Sequence, residues 1–271
     1  MQGPAMSDQG AVANRRMLVS GNWKMNHDHL SAIRTVQALG LMASDDDLRK
    51  VEVSIHPPFT SLRSVQTVIE SDDMPFKLGA QNCHFEDAGA FTGEVSAAML
   101  AKLHVEYVIV GHSERRVLSG ETDEVVRAKL DAVLRHRMRP IVCVGETFDE
   151  RERGSTADRV EAQVTAAIAG LEEEATARLV FAYEPIWAIG TGLTPSVPEA
   201  RQACDLIRSV VAGLSGDGAS RSIRIQYGGS VNPDNTREML TATGFDGVLV
   251  GGASLDAGSF AAIISAAARA G

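Results

Sequence analysis

The sequence predicts an α/β fold, a single (β/α)8 barrel with its working groups at the C-terminal ends of the strands. Short apolar, β-branched runs alternate with longer amphipathic stretches from residue 16 to residue 269, the pattern of strands buried on both faces and joined by helices. No linker, low-complexity stretch or composition break divides the chain. Polar residues suited to chemistry fall directly after the apolar runs, in phase with them, as a barrel requires. Eight such units in 271 residues suit one domain. A doubly wound open sheet is the alternative. It would ordinarily carry GxGxxG after its first strand, but here that strand leads into Gly21-Asn22-Trp23-Lys24.

The first strand is read at residues 17–21, followed by Asn22 and Lys24. The second lies at 51–55 and the third at 76–80, the latter followed by Gln81 and Asn82. The fourth, 107–110, leads to His112 and Glu114, and the fifth is 141–144. The sixth, 179–183, ends at Glu184. The seventh, 223–227, runs into Gly228-Gly229-Ser230, and the eighth, 247–250, into Gly251-Gly252. Among the intervening helices are 123–137, 160–169, 198–211, with Pro198 suited to a first turn, and 259–269. Residues 1–14 are polar and read as a disordered N-terminal extension. Met6 is an alternative start, with 1–5 a remnant ahead of it, and 15–271 is the catalytic barrel domain.

The formal net charge of −9 argues against nucleic-acid binding, which needs a basic face. An anionic small molecule remains compatible, because backbone amides bind phosphate inside an acidic protein. Cys83, Cys143 and Cys204 are odd in number, widely spaced and without CxxC. That disfavours disulfides and zinc and fits a reducing cytoplasm. Cys143, within a strand run, reads as a small core residue. No apolar run is long enough to cross a bilayer, and no signal-peptide core opens the chain. The histidines lack metal-ligand spacing, so no metal is expected.

The stretch AYEPIWAIGTG (182–192) places the carboxylate of Glu184 between a buried strand and a glycine-bearing loop. A strand-ending carboxylate is ordinarily solvated and inert. Here Pro185 stiffens the loop's entry, Gly190 and Gly192, on either side of Thr191, loosen its exit, and Ile186, Trp187, Ala188 and Ile189 make it apolar. An apolar lid of this kind excludes water on closing, and a desolvated carboxylate is the stronger base. The alternative is a loop packed permanently on the rim.

VGHSERR (110–116) sets His112 directly after a strand, with Ser113 as the expected N-cap of the next turn. Amides at a helix start favour a neutral ring that donates a hydrogen bond. A lone histidine is otherwise a structural one. Lys24 at a barrel mouth neutralises an anionic substrate or forms a Schiff base, where most lysines merely coat a surface. Glycine clusters after strands 7 and 8 fall where barrels build a phosphate site. One such cluster is usually a tight turn; two on adjacent strands are more specific.

Taken together, GNWKMN (21–26), GAFTGEVS (89–96), VGHSERR, IVCVGE (141–146), AYEPIWAIGTG, YGGSVNPDN (227–235) and VGGASL (250–255) resemble the triosephosphate isomerase family, bacterial in style. The resemblance covers residue 16 to the end, in the family's order. It implies a TIM barrel that interconverts dihydroxyacetone phosphate and D-glyceraldehyde 3-phosphate through an enediolate, without a cofactor, in glycolysis and gluconeogenesis. The roles that follow are those long described for the family. Glu184 is the base moving the proton between C1 and C2, and His112 is the neutral electrophile. Lys24 supplies positive charge, Asn22 orients the substrate oxygens, and Glu114 pairs with Lys24 in the free enzyme. Gly190, Ser230, Gly251 and Gly252 line the phosphate through backbone amides, while Ile189 and Leu249 clamp and dry Glu184.

The family also implies a homodimer, sometimes a tetramer. Its loop after strand 3 matches residues 85–95, from Phe85 to Val95. Thr92 would then approach the partner's Asn22 and Lys24; the alternative is a monomer with a long surface loop. In the family, Tyr227 and Ser230 latch the closed lid. Here the position expected to supply the N–H for Tyr227 is Pro195, which has none. The bond is expected either to shift to Ser196 or to be absent. Two rival functions remain: a Schiff-base aldolase using Lys24, disfavoured because Lys24 lies beyond its strand, and a sugar-phosphate sensor, which would have a damaged catalytic set.

Overall fold

The computed structural model describes residues 15–271. The readings for residues 1–14 and for Met6 lie outside the described residues. Strands β1 (Met17–Asn22), β2 (Val51–His56), β3 (Phe76–Ala80), β4 (Tyr107–Val110), β5 (Arg139–Val144), β6 (Val180–Tyr183), β7 (Arg224–Tyr227) and β8 (Gly247–Val250) are all parallel. They close in sequence order, with β8 pairing back onto β1.

The expected strands are all present, with shifted ends. β1 and β2 each run one residue further, because Asn22 and His56 pair with each other. β5 begins two residues earlier, at Arg139 and Pro140, opposite Tyr107 and Val108 of β4. The proline is tolerated because the first β5–β6 pair is Ile141 with Val180, so no partner strand yet asks for its missing N–H. β6 and β7 start one residue later: the amides of Leu179 and Ile223 still bond back to Thr176 and Ala219 in the preceding helical turns.

Helix ends differ more. The helix read at 123–137 is Asp123–Arg135 and ends in a turn with Arg137 at φ 62°. The next is Thr156–Ile168, four residues longer at its start. The helix after the lid, Val197–Ser222, carries Pro198 in its first turn as expected but runs well past residue 211. It is broken at Gly216 (φ 88°, ψ 163°), a conformation glycine adopts without penalty. The last helix is Ala257–Ala268. Among the described residues no helix is long and apolar enough to cross a membrane.

Side-chain alternation along the strands builds two cores. Leu18, Tyr107, Ile109, Ile141, Cys143, Val180, Ala182 and Leu249 fill the barrel interior. Alternate residues such as Val19, Val108, Val142 and Phe181 face the helices. The same inward phase that buries Val180 and Ala182 carries Glu184 to the barrel mouth, and Leu18 and Ser20 lead likewise to Asn22.

Part of the interior is polar. Gln226 Nε2 donates to Ser20 Oγ (2.8 Å), the Ser20 and Ser54 hydroxyls are 2.8 Å apart, and Ser54 Oγ lies 3.0 Å from His56 Nε2. His56 Nδ1 meets the Ala80 carbonyl at 3.1 Å. Complete burial pushes the His56 imidazole down to about 4, so the ring is neutral at ordinary pH.

Candidate active site

Glu184 continues β6 with its backbone clamped: its amide donates to Val144 O at 2.7 Å. Gly145 permits that approach, since a Cβ there would lie 1.8 Å from the Glu184 carbonyl oxygen. The Glu184 side chain is buried. Its Oε2 accepts the Ser113 amide at 3.0 Å, and its Oε1 lies 3.1 Å from His112 Nε2. The thiol of Cys143 lies against the same carboxylate. Burial first, and then the Glu184 charge, push that thiol's titration well up. Cys143 is thus a core residue, as expected, that also forms the floor beneath the carboxylate.

His112, not Ser113, is the N-cap of the helix Ser113–Ser119. The histidine's Nδ1 accepts the Glu114 amide at 3.2 Å. An amide only donates, so Nδ1 is the acceptor and the ring proton of this tautomer sits on Nε2, facing Glu184. Displacing Ser113 from the cap frees its own amide for Glu184. One helix start therefore fixes the imidazole and holds the carboxylate.

Asn22 is buried at the end of β1, and its Oδ1 accepts the Lys24 amide at 3.1 Å. Lys24 has a positive φ of 54°, a strained region for a side chain of its size. Gln81 braces it by donating to the carbonyls of Lys24 (2.8 Å) and His56 (2.9 Å). The Lys24 ammonium meets Glu114 Oε1 at 2.5 Å. Such a partly exposed pair contributes about 1 kcal/mol at most, so an incoming anion competes for Lys24 at little cost.

A cavity of about 250 Å³ joins these groups. It is lined by Asn22, Lys24, His112 and Glu184 on one side and by Ser230, Gly251 and Gly252 on the other, with Ile189, Gly190 and Leu249 at its wall. Leu249 is buried and Ile189 half-buried. Asn22, Lys24, His112 and Glu184 therefore meet Gly190, Ser230, Gly251 and Gly252 in one chamber, with room for a small phosphorylated molecule, whereas Glu114 lies outside its lining and reaches it only through the pair with Lys24.

The loop expected to act as a lid runs from Pro185 through a short 3-10 turn, Ile186–Ala188, to Gly190 (φ 70°) and Gly192 (φ 78°), positions that ask for glycine. Its tip is exposed and bonded only to itself, Thr191 Oγ1 donating to Trp187 O and Leu193 N to Thr191 Oγ1. Tyr227 OH is buried without a hydrogen-bond partner among the described residues. Pro195 is buried, and the Ser196 amide is already committed to Glu199 Oε2 at 2.7 Å. Of the two alternatives for the Tyr227 bond, the shift to Ser196 is not made here, because a helix cap holds that N–H.

Two supporting groups, Glu146 and Gln81, were given no role by sequence reading. Glu146, at the end of β5, is buried, and its carboxyl titration is raised by burial despite bonds from Trp187 Nε1 (2.8 Å) and Tyr183 OH (3.0 Å). Its position just past a strand was the available signal. Gln81 was noted only for such a position, and nothing in the sequence pointed to Lys24 as its partner. Thr92 stands on an exposed loop stiffened by His84, whose ring packs on Phe85 and Phe91.

Comparison with known proteins agrees with this geometry. The family described as triosephosphate isomerase matches residues 17–267. The chain is 48% identical over 256 residues to a triosephosphate isomerase of Corynebacterium efficiens, covering 94% of this chain and 98% of the relative. It is 47% identical over 253 residues to that of Streptomyces coelicolor (93% and 98% covered) and 45% identical over 255 residues to that of Mycobacterium avium (94% and 98% covered).

Proposed function

Since the chain belongs to the triosephosphate isomerase family, we propose that its chamber performs the isomerisation as follows. The protein is an isomerase of triose phosphates, exchanging dihydroxyacetone phosphate and D-glyceraldehyde 3-phosphate. Glu184 removes a proton from C1 of the ketose while His112 Nε2–H donates to the C2 oxygen. The enediolate forms, the carbon-bound proton returns to C2, and the O1 hydroxyl proton passes to O2 by way of the His112 ring, so that the aldose carbonyl develops at C1 and a hydroxyl at C2. No atom is gained or lost. Lys24 and Asn22 hold the oxygens that carry negative charge, and amides of Gly190, Ser230, Gly251 and Gly252 hold the phosphate. Ile189 and Leu249 dry the carboxylate once the lid is down, and closure keeps the enediolate from losing phosphate. A positioned acid–base pair of this kind supplies roughly 10²–10⁴ in rate.

The observation that carries the reading is the placement of Glu184 between His112 Nε2 and the Ser113 amide, at the floor of a chamber holding Lys24. It is tested by following dihydroxyacetone phosphate in deuterated water by NMR. Deuterium should enter the carbon-bound positions as the aldose forms. Isomerisation with no exchange in either triose would favour hydride transfer over an enediolate.

The protein acts as a homodimer, a reading supported by a second cavity beside Lys24, His112 and Glu114, and in the cytoplasm, a reading supported by three free, buried cysteines that suit a reducing compartment. Met25 is 94% and Leu118 81% exposed at its rim, apolar area a monomer would leave wet. The loop at residues 85–95, with Thr92 near its tip, fits such a cavity on a second copy.

A further inference from the structure

The two ends of the lid meet at one side chain that belongs to neither. Arg151 lies on the short helix Phe148–Glu152, which follows β5. Thr147 and Glu150 fix that helix through a capping box, so Arg151 projects from the barrel rim and not from the lid. Its guanidinium carbon stands 4.1 Å over the Trp187 ring, at the lid's N-terminal end. Its Nη2 donates to Glu199 Oε1 at 2.5 Å. The other oxygen of Glu199 accepts both the amide and the hydroxyl of Ser196, each at 2.7 Å, where the lid joins its following helix. Trp187 is pinned from below as well, through Glu146. Residues between these anchors bond only locally, as described above.

We propose that Arg151 is a positioning residue for the lid. By stacking on Trp187 and pairing with Glu199 it fixes both hinges, so the tip between them swings as one body over a bound triose phosphate. Arg151 does not line the substrate chamber. It acts through the lid, and the need for it is greater here because Pro195 offers Tyr227 no N–H. The inference rests on the isomerase reading of the site.

The geometry distinguishes this from ordinary surface pairing. Loss of the tie leaves two loose hinges, so the closed lid is reached less often and held less well. The expected signature is a fall in kcat with a rise in KM, a split that a merely structural contact would not produce.

The test measures kcat and KM with D-glyceraldehyde 3-phosphate, inhibition by inorganic phosphate, and thermal midpoints for the full chain. Arg151→Met should lose about tenfold or more in kcat/KM, through both constants, with weaker phosphate inhibition and a melting curve that shows folded protein at the assay temperature. Arg151→Lys keeps the charge but not the stack and should recover part of the loss. Glu199→Gln should be impaired, and the double variant no worse than Arg151→Met alone, since both cut one tie. Should Arg151→Met fail to fold, Glu199→Gln at the partly exposed rim carries the same test. Values within twofold of wild type, or losses that simply add in the double variant, would overturn the proposal. An inactive wild type would instead overturn the isomerase reading.

Discussion

His112 Nε2 and Glu184 Oε1 stand 3.1 Å apart at the mouth of the barrel, and the amide of Ser113 holds the other oxygen of the same carboxylate. In the proposed mechanism the base is therefore parked beside the group that polarises the carbonyl. It needs open space on its other flank to reach a substrate carbon.

Gly228 provides that space. A Cβ at this position would lie 2.9 Å from Glu184 Cγ and 3.3 Å from the Tyr183 carbonyl oxygen. Gly228→Ala should displace the carboxylate by a fraction of an ångström and lower kcat by about tenfold or more. Steady-state kinetics check this; a kcat equal to wild type would mean the side chain moves by another route.

Tyr227→Phe removes a buried hydroxyl that has no partner among the described residues. With no bond to lose, and with Pro195 offering no N–H, kcat/KM should stay within about threefold of wild type. Stability should be unchanged or improved by up to about 1 kcal/mol, because no hydrogen bond is lost. A drop in kcat of tenfold or more would show that Tyr227 latches the closed lid through some other donor.

Buried His56 makes the fold acid-sensitive. Its folded titration point lies at about 4, against 6.5 for the free side chain. Between those values the unfolded chain binds the extra proton, so stability is full at higher pH and declines as pH falls through the unfolded value towards the folded one. The total effect is on the order of 3 kcal/mol. Urea unfolding across this range should show the decline, and His56→Gln should flatten it while costing stability near neutrality. An equal slope in the variant would assign the decline elsewhere.

Met25→Arg places a charge on the apolar rim of the second cavity while leaving an isolated barrel undisturbed, since Met25 is almost wholly exposed. Sedimentation should show a dimer for wild type and a weaker, concentration-dependent one for the variant, with activity falling on dilution. A wild-type monomer with full activity would refute the dimer reading.

Most of the architecture was legible because strand runs and strand-end polar residues carry local signatures. Glu184, His112, Lys24 and Asn22 all announced themselves by following an apolar run. What stayed hidden depends on tertiary partners. The His112 cap in place of Ser113 needed the imidazole's reach to the Glu114 amide. The start of β5 at Arg139 needed the register with β4. The strain at Lys24 and its brace Gln81 join residues far apart in sequence, as does the stacking of Arg151 on Trp187. Local pattern does not encode such pairs.

The central claim is that Glu184 is the base. It is tested most directly by a coupled assay of D-glyceraldehyde 3-phosphate isomerisation, wild type beside Glu184→Gln. The amide keeps the shape and the contact with Ser113 but cannot take a proton. Rapid wild-type turnover with kcat reduced by about 10³-fold or more in the variant is the predicted result. A variant that retains wild-type kcat would contradict it and move the proton transfer to another group.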